Sequence, residues 1–170
     1  MIVSDNALLN SVTAFLYREA ECVDERRWDE WLTLFDPKVE YWIPSWDSED
    51  EYTSDPQSEI SLMYYGDRSG LEDRVFRLRT GSSAASTPLP RTCHMVSNIR
   101  ATPDAEGRSI VKANWVTHLF RNGVSQTIYG RSEYLLLPQP VGSVADWRIV
   151  KKKILVLNDL VDTVLDIYSV

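Results

Sequence analysis

The chain has 170 residues, of which 44% are hydrophobic, 25% charged and 11% aromatic. That length fits one domain of about 100–200 residues with a single sizeable core, and the composition excludes disordered and fibrous classes. Eighteen basic against 25 acidic side chains leave a net charge of −7, a surface that repels phosphate backbones and excludes nucleic-acid binding as the main task.

Residues 1–10 carry neither a basic n-region nor a continuous apolar run, so no signal peptide is expected. No window approaches the roughly 18 uncharged apolar residues of a membrane helix. The expectation is a cytoplasmic protein with neither membrane nor nucleic acid as a partner. Ser4 or Asp5 is placed to cap a first helix, in which Leu8, Leu9, Val12, Phe15, Leu16, Ala20 and Val23 form one apolar stripe. A second short helix carries Trp28, Trp31, Leu32 and Phe35 at i, i+3, i+4 and i+7, and Asp36-Pro37 is expected to end it. Aromatics at helical spacing face a core far more often than a ligand.

Val39 to Pro44 is a short strand rich in aromatic and β-branched residues. Between Ser45 and Glu59 stand six acidic residues and no basic one, which reads as a solvated loop, without the fixed spacing and glycine of a calcium site. Ile60 to Tyr65 is apolar and extended. Leu71 to Arg79 forms a third helix with Leu71, Val75 and Leu78 on one side and arginines on the other, and Gly81 to Pro90 is a loop. Four long strands follow: Thr92–Thr102, Ser109–Arg121, Ser125–Leu137 and Trp147–Leu157. Asn122-Gly123 between two of them is a strong hairpin signal, because both residues accept positive φ. Helices first and a curled antiparallel sheet afterwards mean α+β, with the helices covering one face of a cone over residues 1–170 as one domain.

Cysteine and histidine are scarce. Cys22, Cys93, His94 and His118 are the whole supply, too few for a disulfide framework and consistent with a reducing compartment. A Rieske cluster takes two Cys and two His in paired short spacings, whereas here Cys93 adjoins His94 and Cys22 lies far upstream. A two-His, one-carboxylate iron site would consume both histidines. Cys93 and His94 cannot form a nucleophile pair, since strand neighbours point to opposite faces. Gly66, Gly70 and Gly81 are too scattered for a phosphate loop. Alternation places His94, Val96, Asn98 and Arg100 on one face of their strand, and Asn114, Val116, His118 and Phe120 on one face of the next. If those faces coincide inside the cone, the histidines with Asp24 or Asp29 would make an acid–base site. The other reading makes both histidines interface or hydrogen-bonded core residues.

Longer strings carry a resemblance. Asp55-Pro-Gln-Ser-Glu-Ile-Ser-Leu-Met-Tyr-Tyr65 leads into Gly70-Leu-Glu-Asp-Arg-Val-Phe-Arg-Leu-Arg-Thr-Gly81 and then Pro88-Leu-Pro-Arg-Thr-Cys-His-Met-Val-Ser-Asn98. With Trp28-Asp-Glu-Trp31, Lys151-Lys-Lys-Ile-Leu-Val-Leu-Asn-Asp159 and Val164-Leu-Asp-Ile-Tyr168, the chain resembles the small (β) subunit of aromatic-ring-hydroxylating dioxygenases, in the branch acting on benzoate, anthranilate, toluate or halobenzoates. The resemblance implies a cystatin-like (NTF2-like) fold and assembly of three α with three β subunits (α3β3). It further implies that the α subunit carries the Rieske [2Fe–2S] cluster and the mononuclear Fe(II), and that NADH supplies electrons through a separate reductase. No cofactor and no catalytic residue is implied for this chain, whose role is structural with a possible influence on substrate preference.

Assembly needs aromatic and arginine anchors. Arg74, Arg77 and Arg79, with Arg91 beside them, are therefore expected to pair with carboxylates on the α subunit or a sister β subunit; the alternative is a solvated helix face. Trp42, Trp46 and Tyr52 are further interface candidates if exposed, as are His94 and Asn98. Two other classes remain open: a stand-alone isomerase or dehydratase using His94 and His118, and a binding module for a small aromatic ligand.

Overall fold

The structure, a computed structural model, describes the backbone of residues 2–170 and side chains from residue 6 onward. Helix α1 (Ile2–Asp24) is followed by α2 (Trp28–Thr33), β1 (Phe35–Pro44), β2 (Ser61–Tyr65) and α3 (Ser69–Thr80). The long strands β3 (Arg91–Pro103), β4 (Ser109–Arg121), β5 (Val124–Pro138) and β6 (Trp147–Val156) complete the chain order. The helix begins at Ile2, upstream of Ser4 and Asp5, so neither stands at its N-cap; their side chains lie outside the described residues.

The six strands form one open sheet in the order β2-β1-β6-β5-β4-β3, antiparallel throughout except where β1 runs parallel to β6. Asn122 and Gly123 both adopt positive φ (50° and 80°) and turn β4 into β5, the backbone twist a two-residue hairpin needs. Along β4 the odd positions Val111, Ala113, Trp115, Thr117 and Leu119 are buried on the concave face, while the even positions face outward. Helix α1 covers that concave face with Val12, Phe15, Leu16 and Val23, each contributing about 1.5–3 kcal/mol by leaving water. Gly130 permits the tightest approach: a Cβ there would meet the Leu155 carbonyl oxygen at 1.8 Å.

Two local departures matter. Helix α2 stops at Thr33, and Phe35 already belongs to β1. The residue before a proline disfavours helix, and the Leu34 carbonyl accepts a bond from Ile149 N at 2.8 Å, drawing this segment into the sheet. Phe35 then continues an aromatic row from Trp31 (centroids 4.6 Å apart) to Tyr41 (6.3 Å). The second departure is a bulge in β3 between Ser97 and Arg100, with Asn98 at φ 53°. One extra residue there reverses the facing of everything beyond it. Ile99 and Ala101 therefore join Val96 on the core side, while Asn98 and Arg100 are exposed instead of sharing the face of His94.

Candidate functional site

The concave face holds a polar cluster inside an apolar shell. Glu19, in the middle of the α1 stripe, meets Lys152 of β6 at 2.5 Å, with both side chains at most 6% exposed. The Tyr134 hydroxyl donates to the second Glu19 oxygen at 3.2 Å, and Lys152 Nζ lies 5.3 Å from the Tyr134 ring and 5.9 Å from that of Tyr41. Burial, reinforced by the Glu19 charge, pushes both tyrosine hydroxyls well above their ordinary range, so they stay protonated.

Beside this cluster, His94 closes the end of α1 onto the sheet. Its Nδ1 is 2.5 Å from Asp24 Oδ1, its backbone N–H donates to Asp24 Oδ2 at 2.9 Å, and Thr92 Oγ1 donates to Oδ1 at 2.8 Å. Burial opposes ionisation of Asp24, but the bonds from His94 and Thr92 prevail and hold its carboxyl below the ordinary carboxylate range. His94 Nε2 is buried without a hydrogen-bond partner. The cavity between Glu19, His94, Ser132, Tyr134, Lys152 and Val170 is about 20 Å³, room for a water and not for an aromatic substrate.

The two-histidine site does not form. Strand register sets Cys93 opposite His118 and His94 opposite Thr117, so the histidines stand on opposite faces of the sheet. His118 is exposed on the convex side, bonded through Nδ1 to Thr127 Oγ1 at 2.9 Å. Asp24 is the carboxylate that meets His94, whereas Asp29 pairs with Arg79 at 2.9 Å. An isomerase or dehydratase built on both histidines therefore has no geometric basis here.

Within the chain, the arginines of α3 and Arg91 have these contacts. Arg74 makes a bidentate pair with Asp166 at 2.7 and 2.8 Å, and Asp166 is buried. Its carboxylate partner is thus 92 residues along its own chain. Arg77 pairs with Asp73 at 3.0 Å, one turn along α3. Arg91 stacks 5.3 Å from the Phe120 ring on the convex face. Trp42 is buried and donates to Ser61 Oγ at 2.9 Å, because β2 covers it. Trp46 is held by a 2.7 Å bond to the Val156 carbonyl, with Tyr52 edge-on to its ring. The acidic loop spends its carboxylates on its own turns: Glu59 accepts from the backbone N–H groups of Ser54 and Asp55, both at 2.6 Å.

No group of three or more His, Cys, Asp or Glu among the described residues is placed to hold a metal ion. Cys22 is buried, and burial, aided by the Glu30 charge, pushes its thiol up to about 11. Cys93 and His118 stand on the convex face and His94 on the concave one, so these donors do not converge on an iron or a cluster. The strand patterns leave one feature unmarked: a convex-face row of Met95, Val116 and Tyr129, successive cross-strand partners, with Met95 and Tyr129 nearly half exposed. Its signal was present as apolar residues at both strand parities.

A family model described as the ring-hydroxylating beta subunit matches residues 18–163. The chain belongs to this family. It is 43% identical over 159 residues to the 2-halobenzoate 1,2-dioxygenase small subunit of Burkholderia cepacia, covering 94% of each chain. It is 42% identical over 160 residues to the anthranilate 1,2-dioxygenase small subunit of Acinetobacter baylyi, covering 94% of this chain and 96% of that one. The crystal structure of the benzoate 1,2-dioxygenase beta subunit from Burkholderia mallei superposes with a TM-score of 0.76 at 34% identity, covering 95% of this chain and 97% of that one. Solved structures of far lower identity share the NTF2-like fold alone. In ring-hydroxylating dioxygenases the β subunit is the non-catalytic part and has a large oxygenase subunit as its partner. The concave face is filled by α1 and by Asp166–Val170, and the space inside the Glu19–Lys152–Tyr134 cluster is about 20 Å³.

Proposed function

We propose that this chain is the structural β subunit of an oxygenase that dihydroxylates a benzoate-type aromatic carboxylate, acting as one domain over residues 1–170 in the cytoplasm. The observation that carries the reading is the match to halobenzoate and anthranilate dioxygenase small subunits along 94% of this chain. The α partner supplies the Rieske [2Fe–2S] cluster and the mononuclear iron, NADH delivers electrons through a reductase, and three α subunits sit on three β subunits. Support for this division of labour comes from membership in the ring-hydroxylating beta-subunit family, matched over residues 18–163.

Co-expression with a family α subunit tests it. The complex is expected to contain iron and to hydroxylate benzoate or a substituted benzoate with O2 and NADH. The native mass should correspond to three copies of each subunit, while the chain alone is iron-free and inactive. Turnover by the chain alone, or failure to co-purify with any α subunit of this branch, would overturn the proposal.

A further inference from the structure

At the β4–β5 hairpin end of the concave face lies a second cavity, of about 280 Å³, between the sheet and the segments around Pro90 and Tyr168. Leu119, Val124, Pro90 and the Tyr168 ring supply apolar walls, and Arg121 stands among them. That volume is at the small end of ligand pockets, suited to a single ring.

Arg121 is unlike most arginines of this chain. Arg18, Arg27, Arg68, Arg74, Arg77, Arg79 and Arg108 all pair with carboxylates, whereas Arg121 pairs with none among the described residues. Its Nη2 donates to the carbonyls of Ala84 (3.1 Å) and Thr87 (2.8 Å), which fixes the guanidinium in the wall, while Nε is buried without a partner. Asp166, which like Arg121 acts on the Tyr168 hydroxyl, is already held by Arg74. Nη1 carries no bond among the described residues, so this partly buried guanidinium retains a charged donor that a carboxylate can accept from. Gln126 adds polar capacity on the same wall: its carbonyl oxygen accepts from Thr163 at 3.3 Å, which leaves the amide N–H groups free.

We propose that this cavity binds a small aromatic carboxylate, its carboxylate on Arg121 and its ring between Leu119, Pro90 and Tyr168. The ligand class follows from the cavity's own chemistry and not from the oxygenase assignment, so the two fail separately. In the assembled oxygenase the site would make the β subunit a sensor of aromatic acids.

Crystals of the oxygenase complex soaked in 4-bromobenzoate test this directly, since bromine scatters anomalously and locates each bound copy. A bromine peak in the β cavity is expected, absent in Arg121→Gln. Equilibrium dialysis of the same complexes with labelled benzoate should show one more site per αβ pair in the wild type. In Arg121→Gln that site should be weaker by about tenfold or more. Val124→Trp at the exposed rim, which leaves Arg121 and its loop contacts intact, should block the site if the first variant fails to fold. Neutral bromobenzene should not replace the acid. An empty cavity, a peak that survives in Arg121→Gln, or a partner side chain filling the space would each overturn the proposal. So would a peak without the extra site in dialysis, which means binding at crystal concentration only.

Discussion

His94 on β3 holds Asp24 at the end of α1 through two separate donors, its ring Nδ1 at 2.5 Å and its backbone N–H at 2.9 Å. A helix that covers the concave face is thereby pinned to the sheet at its C-terminal end. Replacing Asp24 with Ala strands buried donors on His94 and Thr92, an expected cost of about 1–3 kcal/mol in chemical denaturation. The pH dependence follows from the lowered Asp24 carboxyl. The folded form binds its proton less readily than the unfolded chain, so the contribution is complete above the ordinary carboxylate range and is lost as pH falls through the folded-state value. Asp24→Asn should therefore flatten the acid limb of a stability–pH curve relative to the parent chain. An unchanged acid limb would show that the pair contributes nothing.

Arg74 and Arg77 sit three residues apart on α3 and should behave very differently. Arg74→Ala leaves Asp166, 1% exposed, as an uncompensated buried charge, which costs about 3–5 kcal/mol and loosens Asp166–Val170 from the concave face. Arg77→Ala removes an exposed pair with Asp73 and should cost at most about 1 kcal/mol. Thermal denaturation separates the two, and limited proteolysis near residue 166 should accelerate only in the Arg74 variant.

The buried Glu19–Lys152 pair invites a double substitution. Glu19→Gln or Lys152→Met alone leaves a desolvated partner charge and should destabilise strongly, by about 3–5 kcal/mol. Glu19→Leu with Lys152→Met removes both charges and should recover most of that loss or exceed the parent, because well-packed apolar groups avoid desolvation. A double-mutant cycle in denaturant measures the coupling. Additive losses would show that the two side chains act independently.

What the sequence revealed and what it hid divide along the range of the interactions. The bounds of β4 and the Asn122-Gly123 turn were legible because alternation and positive φ are local properties. The end of α2 was misread because Leu34 is claimed by a bond from Ile149, more than a hundred residues away. Asn98 carried no mark of the bulge that reverses β3. The register that sets Cys93, not His94, against His118 belongs to two strands jointly and to neither alone. The Arg74–Asp166 pair was not legible because its two members are 92 residues apart in the chain. Membership in the family was legible in whole strings of residues, while the setting of Arg121 depends on the Ala84 and Thr87 carbonyls, more than thirty residues upstream.

The histidines supply the last test. If either acted as a general base in this chain, its removal would lower turnover by about 100-fold or more. In the assembled oxygenase His118→Ala should leave kcat unchanged, because the ring is exposed on the convex face and bonded only to Thr127. His94→Ala should lower the denaturation midpoint through loss of the Asp24 contact, while complex that remains folded keeps its kcat. Steady-state oxygen uptake, normalised to iron content, separates a fall in folded enzyme from a fall in rate per iron. A large loss of rate per iron in either variant would return catalytic function to this subunit and contradict the role proposed for it.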